Sequence, residues 1–516
     1  MSKDPHAEAA TALAADSLAG APPAAASAYD RRFFGHPAGL ANLFFTELFE
    51  RFSYYGMRAL LVLFMTAAVT EGGLGYTTAT AALIYGLYTS LVYLVNLPGG
   101  WIADRLLGQR RSVLIGGTVI AAGHFTMAIP GTAFFFAGLG LIVVGTGLLK
   151  PNISVMVGQL YAPTDARRDA GFTIFYMGIN IGAFIAPLVC GYLGEQVDWH
   201  LGFAAAGVGM ALGLVVYVLT GRTLGEAGRL APEAEAERPS ALRAFGTGMA
   251  GFGAVVALLA VLVASGALVL TEGLVQTGYT VLLLAIVLGL FGWLFTRRYW
   301  TDAERRQLYV IGVLFIGAAL FWAAFEQAGS SLNLFAEGST ARALGAFTVP
   351  ASFFQSLNPL FIMAFAPVVA AVWVALARRG MDPSSPAKFA LGLLLLGLGF
   401  VVMIGAAALA ARGQQVSPMW LVATYLLHTL GELTLSPVGL SAMTRLAPAR
   451  VTSLMMGVWF LAASVGNFVA GFIATFYDTV PLPTFFGIVA AIAIGGAVVL
   501  ALFVRPMREM MARPAR

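Results

Sequence analysis

Long apolar stretches dominate the pattern of hydrophobic and polar positions along this chain. About fourteen of them reach the ~20 residues that a helix needs to cross ~30 Å of hydrocarbon. They lie near 40–66, 79–103, 112–130, 133–157, 168–192, 201–221, 243–270, 278–296, 307–335, 348–377, 388–411, 418–444, 452–477 and 481–504. Lipid cannot satisfy free backbone polar groups, and the stretches lack the ten-residue alternation of an outer-membrane barrel. The pattern therefore predicts an all-α polytopic membrane protein.

Composition supports this interpretation. Of the 516 residues, 59% are hydrophobic and 11% are charged, whereas a soluble protein carries about a quarter charged residues. Most of the chain is thus predicted to lie within the lipid bilayer. The single cysteine, Cys190, lies in an apolar stretch, so an intramolecular disulfide is excluded.

The positions of lysine and arginine predict the orientation of the spans. Two arginines, Arg342 and Arg412, fall in loops on one side. The loops and tail on the other side hold Arg105, Arg110, Arg111, Arg167, Arg168, Arg222, Arg297, Arg298, Arg378, Arg379, Lys388, Arg445, Arg450, Arg505 and Arg508. Because positive loops stay in the cytoplasm, we expect a protein of the inner membrane with both termini cytoplasmic. The net charge of +5 then reflects topology, and we expect no nucleic-acid partner.

Polarity also predicts the domain organisation. Residues 221–243 form the longest polar loop between spans, and the two spans after it contain almost no polar residue. Setting this pair aside leaves six spans before it and six after it, as in carriers built from two halves. The predicted regions are a mobile cytoplasmic arm without a cleavable signal at 1–39, a first half at 40–221, a loop with an inserted, lipid-facing hairpin at 222–300, a second half at 301–505 and a cytoplasmic tail at 506–516.

Seven charged residues interrupt the apolar stretches. Four of them belong to ELFERFSYYGMR, Glu47 to Arg58, and the other three are Lys150, Glu326 and Glu432. At 100° per residue, the polar residues of the first stretch, Glu47, Glu50, Arg51, Tyr54, Tyr55 and Arg58, occupy an arc of about 140° on one helix face. Seven isolated charges would cost roughly 20 kcal/mol in lipid. Four acids and three bases are therefore expected to face one another across a wet cavity.

Two interpretations of these charges remain open: buried ion pairs that only fix helix positions, and a functional cavity. Polar or helix-breaking neighbours favour the cavity, because they open a wet lining at mid-membrane. These neighbours are Pro151, Ser330, Ser331, Asn333, Asn358, Pro359, Ser436 and Pro437.

A family resemblance follows from these residues. ELFERFSYYG resembles the E-x-x-E-R-F-x-Y-Y signature of the proton-dependent oligopeptide transporter (POT) family, within the major facilitator superfamily. GGWIADRLLGQRRSVLIGGTVIAAG and FTIFYMGINIGAFIAP resemble further signatures, and FWAAFEQ, SLNPLF and GELTLSPVGLS are similar to later helices in the same order. The resemblance implies a major facilitator fold with the extra hairpin of prokaryotic members. It implies proton-coupled uptake of di- and tripeptides by alternating access.

A peptide has an ammonium and a carboxylate at its ends, so its carrier needs both bases and acids. Arg51, Arg58 and Lys150 are the candidate donors for the carboxylate. The candidate partners of the ammonium are Glu432, Asn180 and Asn358, roles that the family assigns to matching positions. The resemblance further implies substrate contacts from Tyr54, Tyr55, Tyr93, Trp322, Glu326, Ser436 and Trp459. Packing is the alternative role for the two tryptophans.

Proton coupling requires carboxylates whose protonation depends on a nearby base. Glu47 and Glu50 beside Arg51 fit this requirement, and Glu326 facing Arg58 is the candidate gate between the halves. His124 and His428 are weaker candidates, because a lone histidine is more often a packing residue.

Other functional classes fit less well. The chain has no phosphate-binding G-x-x-x-x-G-K-[ST] motif, no metal cluster and no nucleophile triad, so we expect neither an ATP-driven pump nor an enzyme. No cofactor is predicted beyond the coupling proton, and no obligatory protein partner is evident. A related carrier for nitrate, amino-acid conjugates or drugs stays an alternative, as does a sensor built on a carrier fold.

Overall fold

The computed structural model describes residues 30–162 and 164–512. These residues form sixteen α-helices. The first nine are α1 Ala38–Thr66, α2 Thr78–Leu94, α3 Asn96–Ile102, α4 Gln109–Met127, α5 Thr132–Gln159, α6 Arg168–Gln196, α7 Trp199–Leu219, α8 Pro232–Ala264 and α9 Glu272–Thr296. The others are α10 Asp302–Phe325, α11 Ser331–Ser339, α12 Leu357–Arg378, α13 Ser385–Ala410, α14 Met419–Leu446, α15 Thr452–Ala474 and α16 Leu482–Ala512. One antiparallel hairpin pairs β1 Ala343–Leu344 with β2 Phe347–Thr348.

Sixteen helices make fourteen crossings because two crossings are broken. The second runs through α2, α3 and a π-helical turn at Ala103–Leu107. The ninth runs through α10, a 3₁₀ turn at Glu326–Gly329 and α11. Eleven segments of the described residues are long and apolar enough to span a membrane, and the more polar helices α1, α4 and α14 complete the set. The prediction of an all-α polytopic bundle of about fourteen helices is confirmed.

Several predicted boundaries are wrong. Helix α8 begins at Pro232, not near 243, because a proline at the first turn and Glu233 and Glu235 stabilise a helix N-terminus there. The crossing predicted as 307–335 is interrupted at Glu326, and 348–377 begins as a 3₁₀ turn at Ala351–Ser356.

The two predicted tails also change. The first helix begins at Ala38, inside the predicted arm at 1–39, and most of that arm lies outside the described residues. The last helix does not end at 504 but continues to Ala512, where Met507 is fully buried in the hydrophobic core. Most of the predicted tail at 506–516 is therefore helical, and residues 513–516 lie outside the described part.

The helices pack in two groups. In the first group α1 packs against α6 and α7, and α4 packs against α5 and α7. In the second group α13 packs against α14 and α16, and α10 packs against α15 and α16. The groups meet where α2 crosses α15: a Cβ added to Gly86 would lie 2.7 Å from the Cα of Gly471. Only glycine allows the backbones to approach this closely.

Helices α8 and α9 lie outside these two groups. Ala241 is the one buried residue of α8, and Leu283 and Leu294 are those of α9. The Tyr279 hydroxyl lies 2.8 Å from Ser90 Oγ and so ties α9 to α2. The remaining apolar side chains of the pair form a surface suited to lipid.

The loops alternate between two ends of the bundle. We call the end that holds Arg110, Arg222 and Arg378 the arginine-rich end, and the opposite end, which holds Arg342 and Arg412, the arginine-poor end.

Candidate functional site

The first helix carries a compact charge cluster. Arg51 Nε lies 3.1 Å from Glu47 Oε1, one helical turn earlier, and also contacts the carboxylate of the adjacent Glu50. All three side chains are buried. Glu47 Oε2 and Arg51 Nη2 have no hydrogen-bond partner among the described residues. We call these three residues the Arg51 cluster; it has two acids for one base and lies within a single helix.

Two turns further along α1, Arg58 pairs with Glu326. Arg58 Nη2 lies 3.0 Å from Glu326 Oε2, and Arg58 Nε donates a hydrogen bond of 2.8 Å to the Tyr85 hydroxyl. Glu326 begins the 3₁₀ turn that breaks the ninth crossing, and both charged side chains are buried. A mid-helix 3₁₀ turn often marks a functional hinge. This ion pair joins the first group of helices to the second.

Lys150 lies in α5, directly before Pro151. Its Nζ is 3.9 Å from the centroid of the Tyr93 ring and 6.0 Å from that of Tyr54. Among the described residues it makes no ion pair within 4.0 Å. Its ammonium group is instead stabilised by cation–π contacts with the two aromatic rings.

Glu432 lies in α14, in the second group of helices. Asn358 Nδ2 donates hydrogen bonds of 2.8 Å to Glu432 Oε2 and of 3.1 Å to Thr429 Oγ1. No cation of the described residues lies within ion-pair distance of Glu432. Its carboxylate is therefore held by a neutral amide, without an opposite charge.

A cavity of about 70 Å³ lies between the two groups of helices. It is lined by Tyr55, Arg58, Tyr93, Ala183, Trp322, Phe325, Glu326, Ala328, Gln355, Asn358, Pro359, Tyr425 and Glu432. Pockets for drug-sized ligands hold about 300–1,000 Å³. The cavity is thus in a contracted form, and an occupant of peptide size requires the groups to separate.

The remaining candidates lie outside this lining. Asn180 donates to the carbonyl of Tyr176 in its own helix, and Ser436 Oγ is buried without a partner among the described residues. The guanidinium of Arg51 stands 5.5 Å from the centroid of Tyr54. The Trp459 ring belongs to the hydrophobic core and leaves no room for a Cβ at Gly439.

Neither candidate histidine lines the cavity. His428 packs 4.7 Å from Phe400, measured between ring centroids, and His124 is fully buried with neither ring nitrogen bonded among the described residues.

Sequence reasoning missed four polar residues of the site: Tyr85, Gln355, Tyr425 and Thr429. Tyr425 and Thr429 precede Glu432 by seven and three positions, which puts them on its helix face, so helical spacing could have found them. Tyr85 and Gln355 depend on how separate helices cross, and no pattern within their own stretches marks them.

Comparisons with known proteins identify the family of this chain. The sequence model described as "POT family" matches residues 110–488. The chain belongs to the POT family. A peptide transporter of Yersinia enterocolitica is 43% identical, over 93% of this chain and 96% of that protein. A di-/tripeptide transporter of Lactococcus lactis subsp. cremoris is 37% identical, over 93% of this chain and 98% of that protein.

A solved structure agrees with the fold of this POT-family chain. A crystal structure of a peptide transporter POT in complex with sulfate matches with a TM-score of 0.87 and 43% identity, over 95% of this chain and 99% of that one. The resemblance drawn from the sequence motifs is thereby confirmed. The chain is a multi-pass membrane transporter and not an enzyme.

Further contacts between the two groups of helices of this POT-family chain lie toward the arginine-poor end. Asn333 Nδ2 donates 2.8 Å to the carbonyl of Ala59, and Ser356 Oγ donates 2.8 Å to the carbonyl of Phe184. Glu195 at the end of α6 accepts from the backbone N–H groups of Ala351 at 2.7 Å and Ser352 at 3.0 Å. The two groups of helices are thus in direct contact at this end.

Proposed function

We propose that the chain is a proton-coupled symporter that takes up di- and tripeptides by alternating access. Relatives that share more than a third of its residues over nearly its whole length are named as peptide or di-/tripeptide transporters. The charges of the site supply the physical reason, because they suit a ligand with one cationic and one anionic end.

The observation that carries the proposal is the set of charges left over after pairing. Arg51 forms ion pairs with Glu47 and Glu50, and Arg58 forms one with Glu326. Lys150 and Glu432 remain, one in each half, with no opposite charge at ion-pair distance among the described residues. A zwitterionic peptide satisfies both: its carboxylate binds near Lys150 and its ammonium near Glu432. The two ends of the peptide are thereby fixed. Its side chains contact the aromatic faces of Tyr55, Tyr93 and Trp322, which can accommodate different side chains.

The Arg51 cluster is the proposed proton site. Two buried acids share one base, and one carboxylate oxygen of Glu47 has no donor. A buried anionic oxygen without a donor is costly, so binding one proton relieves the excess negative charge of the cluster. The cluster contacts Tyr54, which also stands near Lys150, so proton and peptide carboxylate act on neighbouring groups.

The Arg58–Glu326 pair is the proposed gate. It joins the two halves, so it has to break when they separate at the arginine-poor end. The proposed halves are 40–221 and 301–505, and the hairpin between them lies on the outside of the helical bundle. We place the arginine-rich end and both termini in the cytoplasm and the protein in the inner membrane, with no nucleic-acid or obligatory protein partner.

The test is uptake of labelled di-alanine into proteoliposomes, with and without an inward proton gradient. Each charge moved across 100 mV supplies about 2.3 kcal/mol, so a gradient should drive accumulation above the outside concentration. An uncoupler should reduce uptake to equilibration. Accumulation that is unchanged by the uncoupler would contradict symport, and absence of any di-alanine uptake would favour a carrier for another small anion or conjugate.

A further inference from the structure

A basic recess lies at the arginine-rich end and shares no lining residue with the central cavity. It occupies about 590 Å³ between the start of α4, the end of α7 and the segment that joins α7 to α8. We call it the arginine recess. Its charged lining is Arg110, Arg111, Arg222, Arg229 and Glu226. Four arginines against one glutamate give this lining a net charge of +3, so it attracts anions.

Two of the four arginines already have partners. Arg110 donates to the carbonyl of Gly225 at 3.1 Å and also to the carbonyl of Gly221, which holds the loop in place. Arg229 Nη1 lies 2.9 Å from Glu226 Oε2. These contacts build the walls of the recess and neutralise its one acid.

Arg111 and Arg222 differ from these two. Both are exposed, and neither has a carboxylate within ion-pair distance among the residues that the structure describes. Arginine presents a planar fork of donors that matches the oxygens of a phosphate. The recess therefore contains two guanidinium groups without a carboxylate partner among the described residues.

The recess also continues into the lipid-facing surface. Leu114 follows Arg111 by three residues and Val218 precedes Arg222 by four, so each lies one helical turn deeper in the membrane, and both line the recess. Their exposed fractions are 37% and 59%. An anion that binds the arginines thus has apolar surface directly beside it, at the depth of lipid chains.

We infer that the arginine recess binds an anionic phospholipid, whose phosphate contacts Arg111 and Arg222 and whose acyl chain lies along Leu114 and Val218. Charge complementarity favours an anionic headgroup, and the adjoining apolar wall favours a lipid over a free anion. Basic pockets between membrane helices bind such headgroups in other proteins. This inference does not depend on which peptide the central site transports.

The experiment is a lipid titration by native mass spectrometry on the full chain released from detergent. The test variant is Arg111→Gln/Arg222→Gln. The matched control is Arg378→Gln/Arg379→Gln, which removes the same charge from two exposed residues at the same end of the bundle. Size-exclusion profile and helical content establish that both variants fold.

We expect the wild type to retain phosphatidylglycerol in preference to phosphatidylethanolamine. A basic residue near a headgroup contributes about fivefold to affinity, so the test variant, which loses two, should bind phosphatidylglycerol about 25-fold more weakly. The control should change less than twofold. Equal losses in both variants, or none in the test variant, would overturn the inference.

Two further arms separate a lipid from a free anion. Phosphatidylglycerol with six-carbon chains should bind more weakly than the long-chain form, and Leu114→Ser should remove most of that difference while the arginines remain. Inorganic phosphate at millimolar concentration should not displace the long-chain lipid. If phosphate displaces it fully, or if chain length has no effect, the recess is a site for soluble anions and the lipid assignment is wrong.

Discussion

Helix α1 carries two buried arginines, Arg51 and Arg58, that are seven residues apart and face the same way. Both contact glutamates, but the glutamates differ in origin. Arg51 contacts Glu47 and Glu50 of its own helix, whereas Arg58 contacts Glu326 of the other half. Both arginines form ion pairs with glutamates. The first lies within one helix, whereas the second links helices of different groups.

On the basis of this difference we propose different tasks for the two arginines. A pair inside one helix keeps its geometry when the halves move, so only a change in charge alters it. A pair between halves has to break when they separate. The Arg51 cluster is therefore suited to holding a proton, and the Arg58–Glu326 pair is suited to controlling movement.

The largest effect is expected for Arg51→Ala. Removing the base leaves two buried acids without a partner, which costs about 3–5 kcal/mol by analogy with other broken buried pairs. Both gradient-driven uptake and substrate exchange should be lost, and the thermal unfolding temperature should fall. Arg51→Lys is the control, since it keeps the charge. An Arg51→Ala protein with normal exchange would show that the cluster does not interact with the peptide site.

A nearly equal effect is expected for the two unpaired charges. Lys150→Ala and Glu432→Ala should each weaken peptide binding by about 2–5 kcal/mol, because the matching end of the peptide loses its buried partner. Peptide affinity measured by competition reports the loss. Lys150→Ala should also no longer distinguish a free carboxyl end from an amidated one. If that preference survives, the carboxylate binds elsewhere.

A smaller effect, on conformation, is expected for Glu326→Gln. The neutral amide weakens the contact with Arg58, so the arginine-poor end should open more often. Spin labels at Gln196→Cys and Thr348→Cys report this, since the wild-type side chain of Gln196 contacts the Thr348 carbonyl at 3.5 Å.

Cys190 is the only native cysteine, so Cys190→Ala provides the background for these labels. A longer-distance population should grow in Glu326→Gln. Glu50→Gln is the matched control, because it alters a pair within one helix and should leave the distances unchanged. Equal shifts in both variants would remove the distinction between the two arginines.

The smallest effect is expected at Glu195, which holds the start of the segment before α12 through two backbone N–H groups. Glu195→Gln keeps an acceptor but loses the charge-assisted bonds and the attraction of Arg342, 3.8 Å away. The same spin-label distances should lengthen by less than in Glu326→Gln. A larger change would make Glu195, and not the Arg58 pair, the principal lock at this end.

Most of the fold follows from hydrophobic spacing, because lipid enforces helices wherever about 20 apolar residues run together. Spacing does not show where a helix breaks. The 3₁₀ turn at Glu326–Gly329 packs so closely against the Tyr85 hydroxyl of α2 that a Cβ at Gly329 has no room, and this contact between separate crossings leaves no pattern in the sequence. The early start of α8 depends on a proline and acids that also suit a loop.

The charges of the site were predictable from the sequence, and the expected contacts of Arg51 with Glu47 and Glu50 and of Arg58 with Glu326 are present in the structure. An ionisable residue in an apolar helix is conspicuous, so Lys150, Glu326 and Glu432 were found without a structure. The absence of an ion pair at Lys150 and Glu432, among the described residues, is visible only in three dimensions.

The comparison of the two arginines is tested most directly by Glu50→Gln, assayed for counterflow and for gradient-driven uptake in the same proteoliposomes. The amide mimics a permanently protonated cluster. Counterflow needs only the loaded carrier to move and should survive, whereas uphill accumulation needs proton release inside and should fail. Glu47→Gln should behave alike. A Glu50→Gln protein that concentrates di-alanine normally would show that the Arg51 cluster fixes structure and does not couple protons.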